Sequence, residues 1–282
     1  MTERAFDALI IDLDGVVYTG ALPIEGAAEG INTAREDGLR ILFMTNNAAK
    51  MPADVVSHLE SVGVAASPDE VLTSSQVAAA YVVSELGDDI EAGRVLAVGG
   101  PGVSYALNEV GISPMLPSQI GSDGPSQPFV AIVQGYGPQL RVTDLHEAGL
   151  AVNAGALWVA TNTDATLPTP RGMVPGNGAL VAAVAHGTGA TPVVVGKPQP
   201  FAYEMALKRL GLPAERVLAI GDRLDTDIDG AIAANVPAAL VLTGVNTAAD
   251  AHARPSQDQP TLIAAGIPEL RATWLGEDPV SG

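Results

Sequence analysis

The chain of 282 residues is 47% hydrophobic and 16% charged, a balance that suits one large or two modest globular domains and rules out a disordered polymer. With 32 acidic against 14 basic residues its formal net charge is −18, a field that repels nucleic acid phosphates and anionic lipid surfaces, so neither is expected as a partner. Cysteine is absent, which excludes disulfides, thiolate catalysis and sulfur-ligated zinc or iron–sulfur centres; the histidines His58, His146, His186 and His252 are scattered without ligand spacing, so a metal would be held mainly by oxygen, as Mg²⁺ prefers.

The N-terminal Met1–Asp7 stretch lacks the basic flank and long apolar run of a signal peptide, and no apolar run approaches the roughly 18 residues that cross a bilayer. A cytoplasmic location is expected. The first strand, Ala8–Ile11, runs into Asp12-Leu13-Asp14-Gly15. In an extended chain positions i and i+2 face the same side, so Asp12 and Asp14 share one space while Leu13 returns to the core. A second apolar run, Ile41–Met44, ends in Thr45-Asn46-Asn47, whose hydroxyl and turn amides suit a phosphate. Ala53–Val62 carries a helical stripe of Val55, Val56, Leu59 and Val62, and Thr73-Ser74-Ser75-Gln76 reads as a capping box opening a helix over Ser74–Leu86.

Glu85–Arg94 is polar and contains glycine, as a seam would be. Beyond it, Val95–Val98 precedes Gly99-Gly100-Pro101-Gly102, which lacks the full dinucleotide-loop spacing and reads as a turn. Leu116–Pro128 is rich in Ser, Gly and Pro, a surface loop. Val130–Val133 leads to Gln134-Gly135-Tyr136, and Leu157–Ala160, with Trp158 expected in a core, leads to Thr161-Asn162-Thr163-Asp164. A second seam lies at His186–Pro192. Then Val193–Val195 ends in Gly196-Lys197-Pro198, Phe201–Leu210 has helical period, and Val217–Ile220 ends in Gly221-Asp222-Arg223-Leu224-Asp225-Thr226-Asp227. Ala239–Leu242 is a further strand, and the tail after Asp250 is weakly patterned.

Alternating strands and helices, with strands that are continuously apolar, imply an α/β fold: a doubly wound, parallel, Rossmann-like sheet. The segment between the seams has its own strand–helix pattern. We therefore expect a discontinuous core of residues 1–81 and 190–282, with residues 82–189 inserted as a second α/β domain.

The polar groups at four strand tips are distant in sequence yet share one position, the carboxyl end where open α/β sheets bind ligands. Gathering Asp12, Asp14, Asp222 and Asp227 there is costly: two carboxylates ~4 Å apart repel by about 4 kcal/mol at an effective dielectric of roughly 20. A divalent cation removes most of that penalty and Lys197, one of only three lysines, offsets more. The expected Mg²⁺ ligands are Asp12, the backbone carbonyl of Asp14, and Asp222, with waters and a substrate phosphate oxygen.

Asp-Leu-Asp-Gly-Val, Thr-Asn-Asn, Gly-Lys-Pro and Gly-Asp-Arg-Leu-Asp-Thr-Asp, in this order, resemble the four motifs of the haloacid dehalogenase superfamily of phosphohydrolases. Thr-Asn-Asn with Gly-Asp-Arg-Leu-x-Thr-Asp is similar to its NagD-like branch, which includes p-nitrophenyl, pyridoxal and glycerol phosphate phosphatases and carries an α/β cap between the second and third motifs. The resemblance implies that Asp12 is a nucleophile forming an aspartyl-phosphate and that Asp14 is the acid and base. It further implies that Thr45 and Asn46, with Asn47 beside them, bind the phosphoryl group, that Lys197 neutralises charge, that Asp222 ligates Mg²⁺, and that Asp227 orients metal-bound water or Lys197. Asp225 and Asp229 read more simply as solvated or helix-start carboxylates, Arg223 as either a structural ion pair or a substrate contact, and His146 and His186 as helix-face residues.

A cap should admit only small phosphate esters, with Gly135, Tyr136, Asn162 and Asp164 as its candidate substrate contacts. Aromatic residues are only 4% of the chain, so no stacking platform for a pyridine or nucleobase is evident, which favours a polyol or sugar phosphate such as glycerol 3-phosphate. The cap segment also looks like that of actinobacterial glycerol phosphate phosphatases. The expected function is a Mg²⁺-dependent phosphomonoester hydrolase; a phosphotransferase or mutase, a non-catalytic phosphometabolite sensor and a nucleotide-binding oxidoreductase are the competing readings. A homodimer through the cap is the expected assembly.

Overall fold

The computed structural model describes residues 4–169 and 171–277. Contacts group the chain into two units: residues 4–45, 53–72 and 197–277, and residues 46–52 and 73–196. The expected breaks after residues 81 and 189 differ from these for a packing reason. The helix Ser74–Leu86 packs on the helix Pro101–Glu109, and the strand Val193–Val194 pairs with Leu157–Ala160, so both fall in the second unit.

The first unit is built on a six-stranded sheet in the order Leu262–Ala264, Ala238–Val241, Val217–Gly221, Ala8–Ile11, Arg40–Thr45, Val71–Thr73. The first five are parallel, with Ala8 opposite Val217 on one side and Arg40 on the other. The chain thus starts in the middle, builds outward to one side, and returns to build the other. That reversal beside the Ala8–Ile11 strand is a topological switch point, the place where such sheets open a crevice beyond their carboxyl ends.

All four residues of the Ala8–Ile11 strand are buried, as a strand covered on both faces requires. Leu9 and Ile11 join Phe43, Leu218, Ile220, Ala239 and Val241 in one apolar cluster, closed by Ile31 and Ala34 of the helix Ala27–Glu36 and Val55 and Leu59 of Pro52–Ser61. Trp274, fully buried, completes that layer and donates its indole N–H to Asp37 at 3.0 Å. The tail after Asp250 therefore holds both an edge strand, Leu262–Ala264, and a core anchor that its weak pattern concealed.

The second unit has a four-stranded parallel sheet in the order Val193–Val194, Leu157–Ala160, Phe129–Gln134, Arg94–Val98. Its core contains Leu96, Val98, Ile132 and Trp158, covered by Ala148 and Ala151 of the helix Val142–Asn153 and by Val181 and Val184 of Asn177–Thr188. The Thr73 capping box forms: its backbone N–H donates to Gln76 and its hydroxyl accepts from the Gln76 amide. Residues 121–128 are exposed loop. Among the described residues no helix is long and apolar enough to cross a membrane.

Candidate active site

Two strand ends of the first unit, those of Ala8–Ile11 and Val217–Gly221, carry the acidic groups. Asp12 follows Ile11 directly and keeps the sheet going by one more bond, its N–H donating to the Ile220 carbonyl at 2.9 Å. The chain then turns tightly: Val17 and Tyr18 both donate to the Leu13 carbonyl, and Gly15 donates to Tyr18. Gly15 sits at φ +92°, and a Cβ there would lie 2.5 Å from Asp222 Oδ2, so only glycine permits both the turn and the close approach.

Asp222 directly follows the strand Val217–Gly221, and behind it the chain winds through a single π-helical turn, Leu224–Ile228. Asp227 and Ile228 both donate to the Arg223 carbonyl, and the wide turn swings the Asp227 side chain back so that its Oδ2 accepts the Arg223 N–H at 3.2 Å. Gly221 makes room; a Cβ on it would meet the Asp227 Cβ at 2.2 Å. Lys197 Nζ then lies 2.5 Å from Asp12 Oδ1 and 2.6 Å from Asp227 Oδ1, and the lysine is 4% exposed.

Carboxylate oxygens of Asp12, Asp222 and Asp227 all lie within 4.8 Å of one another. Burial pushes the Asp12 carboxyl above its usual range against the pull of the Lys197 ammonium. Burial, and next the charge of Asp227, raise Asp222 to about 6; burial raises Asp227 to about 6 even though Lys197 pulls it down. Burial disfavours the ammonium of Lys197, but Asp12 and Asp227 beside it outweigh that and lift its pKa above the ordinary lysine value. Three carboxylates thus crowd one ammonium, an excess of negative charge that suits a divalent cation.

The donor set fits that ion. Asp222 Oδ2 accepts the Val245 N–H at 2.8 Å, whereas its Oδ1 is buried with no hydrogen-bond partner among the described residues. A buried carboxylate oxygen left bare is costly unless a cation completes it. Asp227 has both oxygens taken by protein donors, which marks it as a holder of Lys197. Asp14 is exposed at the start of the turn, where it forms an isolated bridge with Tyr18, and its carboxylate is not one of the clustered three. Thr45 is buried at the tip of the strand next to Ala8–Ile11.

The remaining expected contacts lie in the second unit. The Asn46 amide donates to Asp164 at 3.3 and 3.4 Å, and the Asn46 carbonyl accepts from both Asn162 and Ser74 at 2.7 Å. Asn177 donates to the Asn162 carbonyl at 2.8 Å, so Asn46, Asn162 and Asp164 form one network. Asn47 Oδ1 accepts the Ala49 N–H, a turn bond. Gly135 is buried and Tyr136 half-buried, with the Tyr136 carbonyl accepting from Gly100, away from that network in hydrogen bonding. Arg223 pairs with Asp225 and Arg254 with Asp229, structural ion pairs at the surface.

Sequence reasoning missed two supports. The Tyr203 hydroxyl donates to the Asp227 carbonyl at 2.7 Å, and the Thr243–Asn246 segment touches both acidic turns. Thr243 follows the strand Ala238–Val241 by two residues, so the strand-tip rule that singled out Asp12 and Asp222 applies here too.

Two family models match: one described as haloacid dehalogenase-like hydrolase over residues 9–113, and one described as HAD-hydrolase-like over residues 194–270. The chain is 43% identical over 265 residues to D-glycerol 3-phosphate phosphatase of Mycobacterium tuberculosis, covering 94% of this chain and 70% of that protein. It is 36% identical over 244 residues to acid sugar phosphatase of Staphylococcus saprophyticus, covering 86% and 89%. The crystal structure of the M. tuberculosis glycerol phosphate phosphatase in complex with magnesium superimposes with a TM-score of 0.86 at 40% identity, covering 98% of this chain and 80% of that one.

Proposed function

The chain belongs to the haloacid dehalogenase-like hydrolases, and from that premise we propose that it is a Mg²⁺-dependent phosphatase of small phosphorylated metabolites that works through Asp12. The observation that carries this reading is the meeting of Asp12, Lys197 and Asp222, with the buried Asp222 Oδ1 left for a cation. Asp12 and Asp222, with the Asp14 carbonyl, would hold Mg²⁺, which supplies positive charge against the carboxylates and the phosphate ester.

The protein's own residues divide the reaction. The Asp12 carboxylate attacks phosphorus, and the bond to the ester oxygen breaks as the alcohol leaves with a proton from Asp14. In the second half Asp14 takes a proton from water, the water oxygen attacks the phosphoryl group, and phosphate departs with Asp12 restored. Lys197 holds the nucleophile in place and balances its charge, and Asp227 fixes Lys197. Thr45, Asn46 and Asn47 would bind phosphoryl oxygens. The second unit is the cap of this scheme, with Gly135, Tyr136, Asn162 and Asp164 contacting the organic part of the substrate.

Asn162 and Asp164 are polar hydrogen-bonding groups, suited to hydroxyls, and the relatives named above are a glycerol phosphate and a sugar phosphatase. The substrate class is therefore a polyol or sugar phosphate such as glycerol 3-phosphate. A homodimer through the cap belongs to the same reading. Phosphate release should be measured over a panel of phosphorylated metabolites with Mg²⁺. Polyol and sugar phosphates should lead, and Asp12→Asn should lower kcat by at least about 10³-fold with the circular dichroism spectrum unchanged. An Asp12→Asn enzyme that keeps a tenth of the rate would refute the nucleophile.

A further inference from the structure

We infer that the segment Thr243–Asn246 is a positioning device that fixes the Asp222 carboxylate and the turn after Asp12 at the spacing a divalent cation needs. This rests on the metal reading above and deepens it. Four hydrogen bonds carry the inference. The Thr243 hydroxyl donates to the Gly15 carbonyl at 2.7 Å, which ties the segment to the turn that carries Asp12 and Asp14. The Val245 N–H donates to Asp222 Oδ2 at 2.8 Å. The Asn246 N–H donates to the Asp222 carbonyl at 3.1 Å, and Asn246 Oδ1 accepts the Leu224 N–H at 2.9 Å.

The consequence is orientational. One oxygen of Asp222 is held by a backbone amide, so the other, Oδ1, is the one presented bare and buried. Without the amide the carboxylate could rotate and offer either oxygen, at the entropic cost of ordering it when the ion binds. Thr243 meanwhile locks the neighbouring turn to the same short stretch of chain, so the two ligand-bearing loops cannot drift apart independently. Gly244 allows the contact: a Cβ there would lie 2.0 Å from Asp222 Oδ2 and 2.5 Å from its carboxyl carbon. The four bonds end on Gly15, Asp222 and Leu224 and none reaches the Asp12 carboxylate, so the segment acts on the metal through its ligand.

The test is Mg²⁺ binding by calorimetry, with no substrate present, on the full-length wild type and on Thr243→Val, Thr243→Ser and Gly244→Ala. Loss of such an outer support typically weakens metal affinity by about 10- to 100-fold. Thr243→Val should weaken Mg²⁺ by about 10-fold, Thr243→Ser should restore it, and Gly244→Ala should weaken it further. At saturating Mg²⁺ the Thr243→Val enzyme should regain most of its turnover, with the Mg²⁺ concentration for half-maximal rate displaced upward. Thr243→Val binding Mg²⁺ as tightly as wild type overturns the inference alone, and it decides the matter even if Gly244→Ala fails to fold. A wild-type protein that binds no Mg²⁺ overturns the metal reading and this inference with it.

Discussion

Lys197 and Asp227 form an ion pair 2.6 Å long in which the lysine is 4% and the aspartate 3% exposed, so neither charge has water to fall back on. Removing one partner of such a pair strands the other, which costs roughly 3–5 kcal/mol. Here the stranding is doubled, because Lys197 also serves Asp12. Lys197→Met should therefore destabilise the fold by about that amount in chemical denaturation and lower kcat by at least about 10²-fold. A variant as stable as wild type would show that the pair is not what holds the two aspartates together.

Chelation should act on both rate and stability. EDTA should abolish phosphate release and added Mg²⁺ restore it, since among the described residues Asp222 Oδ1 has no donor to replace the ion. Because the folded chain alone assembles the three carboxylates, Mg²⁺ at 100 times its Kd should add about 2.7 kcal/mol to stability. A rate or a thermal midpoint indifferent to EDTA contradicts the site.

The same carboxylates set a pH dependence in the metal-free protein. Asp222 and Asp227 titrate at about 6 in the folded chain, against about 3.9 when unfolded. Between those values the folded chain keeps protons that the unfolded chain has released, so stability falls as pH rises through the window. The carboxyls held below their usual range, such as Asp7 beside Arg216 and Asp37 beside Arg271, act only at lower pH. EDTA-treated protein should thus melt at a higher temperature at pH 5 than at pH 7. Saturating Mg²⁺ should reverse the order, because protons then compete with the ion. An unchanged or lower midpoint at pH 5 without metal would count against the burial-driven rise.

Trp274 offers a test remote from the site. It is fully buried in the apolar cluster of the first unit, and its indole N–H donates to the Asp37 carboxylate. Trp274→Ala should cost roughly 3–5 kcal/mol in urea denaturation. A loss under about 1 kcal/mol would mean the C-terminal layer contributes little to the core.

What could be read from the residues, and what could not, follows from how local each signal is. The strand tips are legible because an acidic or polar cluster after a continuous apolar run is a pattern within ten residues, as at Asp12, Thr45 and Asp222; the run before Lys197 instead pairs with Leu157–Ala160 in the second unit's sheet, so the expected shared strand-tip position does not hold for that lysine. The helix start at Thr73 was legible for the same reason: its capping box lies within four residues. The edge strand Leu262–Ala264 was not, since only three half-buried residues take part and their partners lie in the Ala238–Val241 strand. The strand Val71–Thr73 escaped similarly, a three-residue apolar run running straight into a helix.

At the site itself the acidic groups are visible, and the family resemblance already implies different roles for Asp222 and Asp227, but the geometry that separates them is not. That Asp227 is saturated by Lys197 and the Arg223 amide, while Asp222 keeps one oxygen bare, depends on the π-turn after Arg223 and on the Val245 amide. Neither has a compositional mark. The role of Asn46 was also only half visible: its amide meets Asp164, 118 positions further along, an encounter no local pattern encodes.

Gly15, Gly221 and Gly244 each stand where a single added carbon would strike the carboxylate side chain of Asp222 or Asp227. The acidic residues of the centre are therefore guarded by neighbours with no chemistry of their own. In a saturation-mutagenesis map, these three positions should look as intolerant as the aspartates themselves, and a search for function that ranks only reactive side chains would pass over them. The evolutionary freedom of the protein must then lie elsewhere, in residues that shape what is bound and not in those that frame where it reacts.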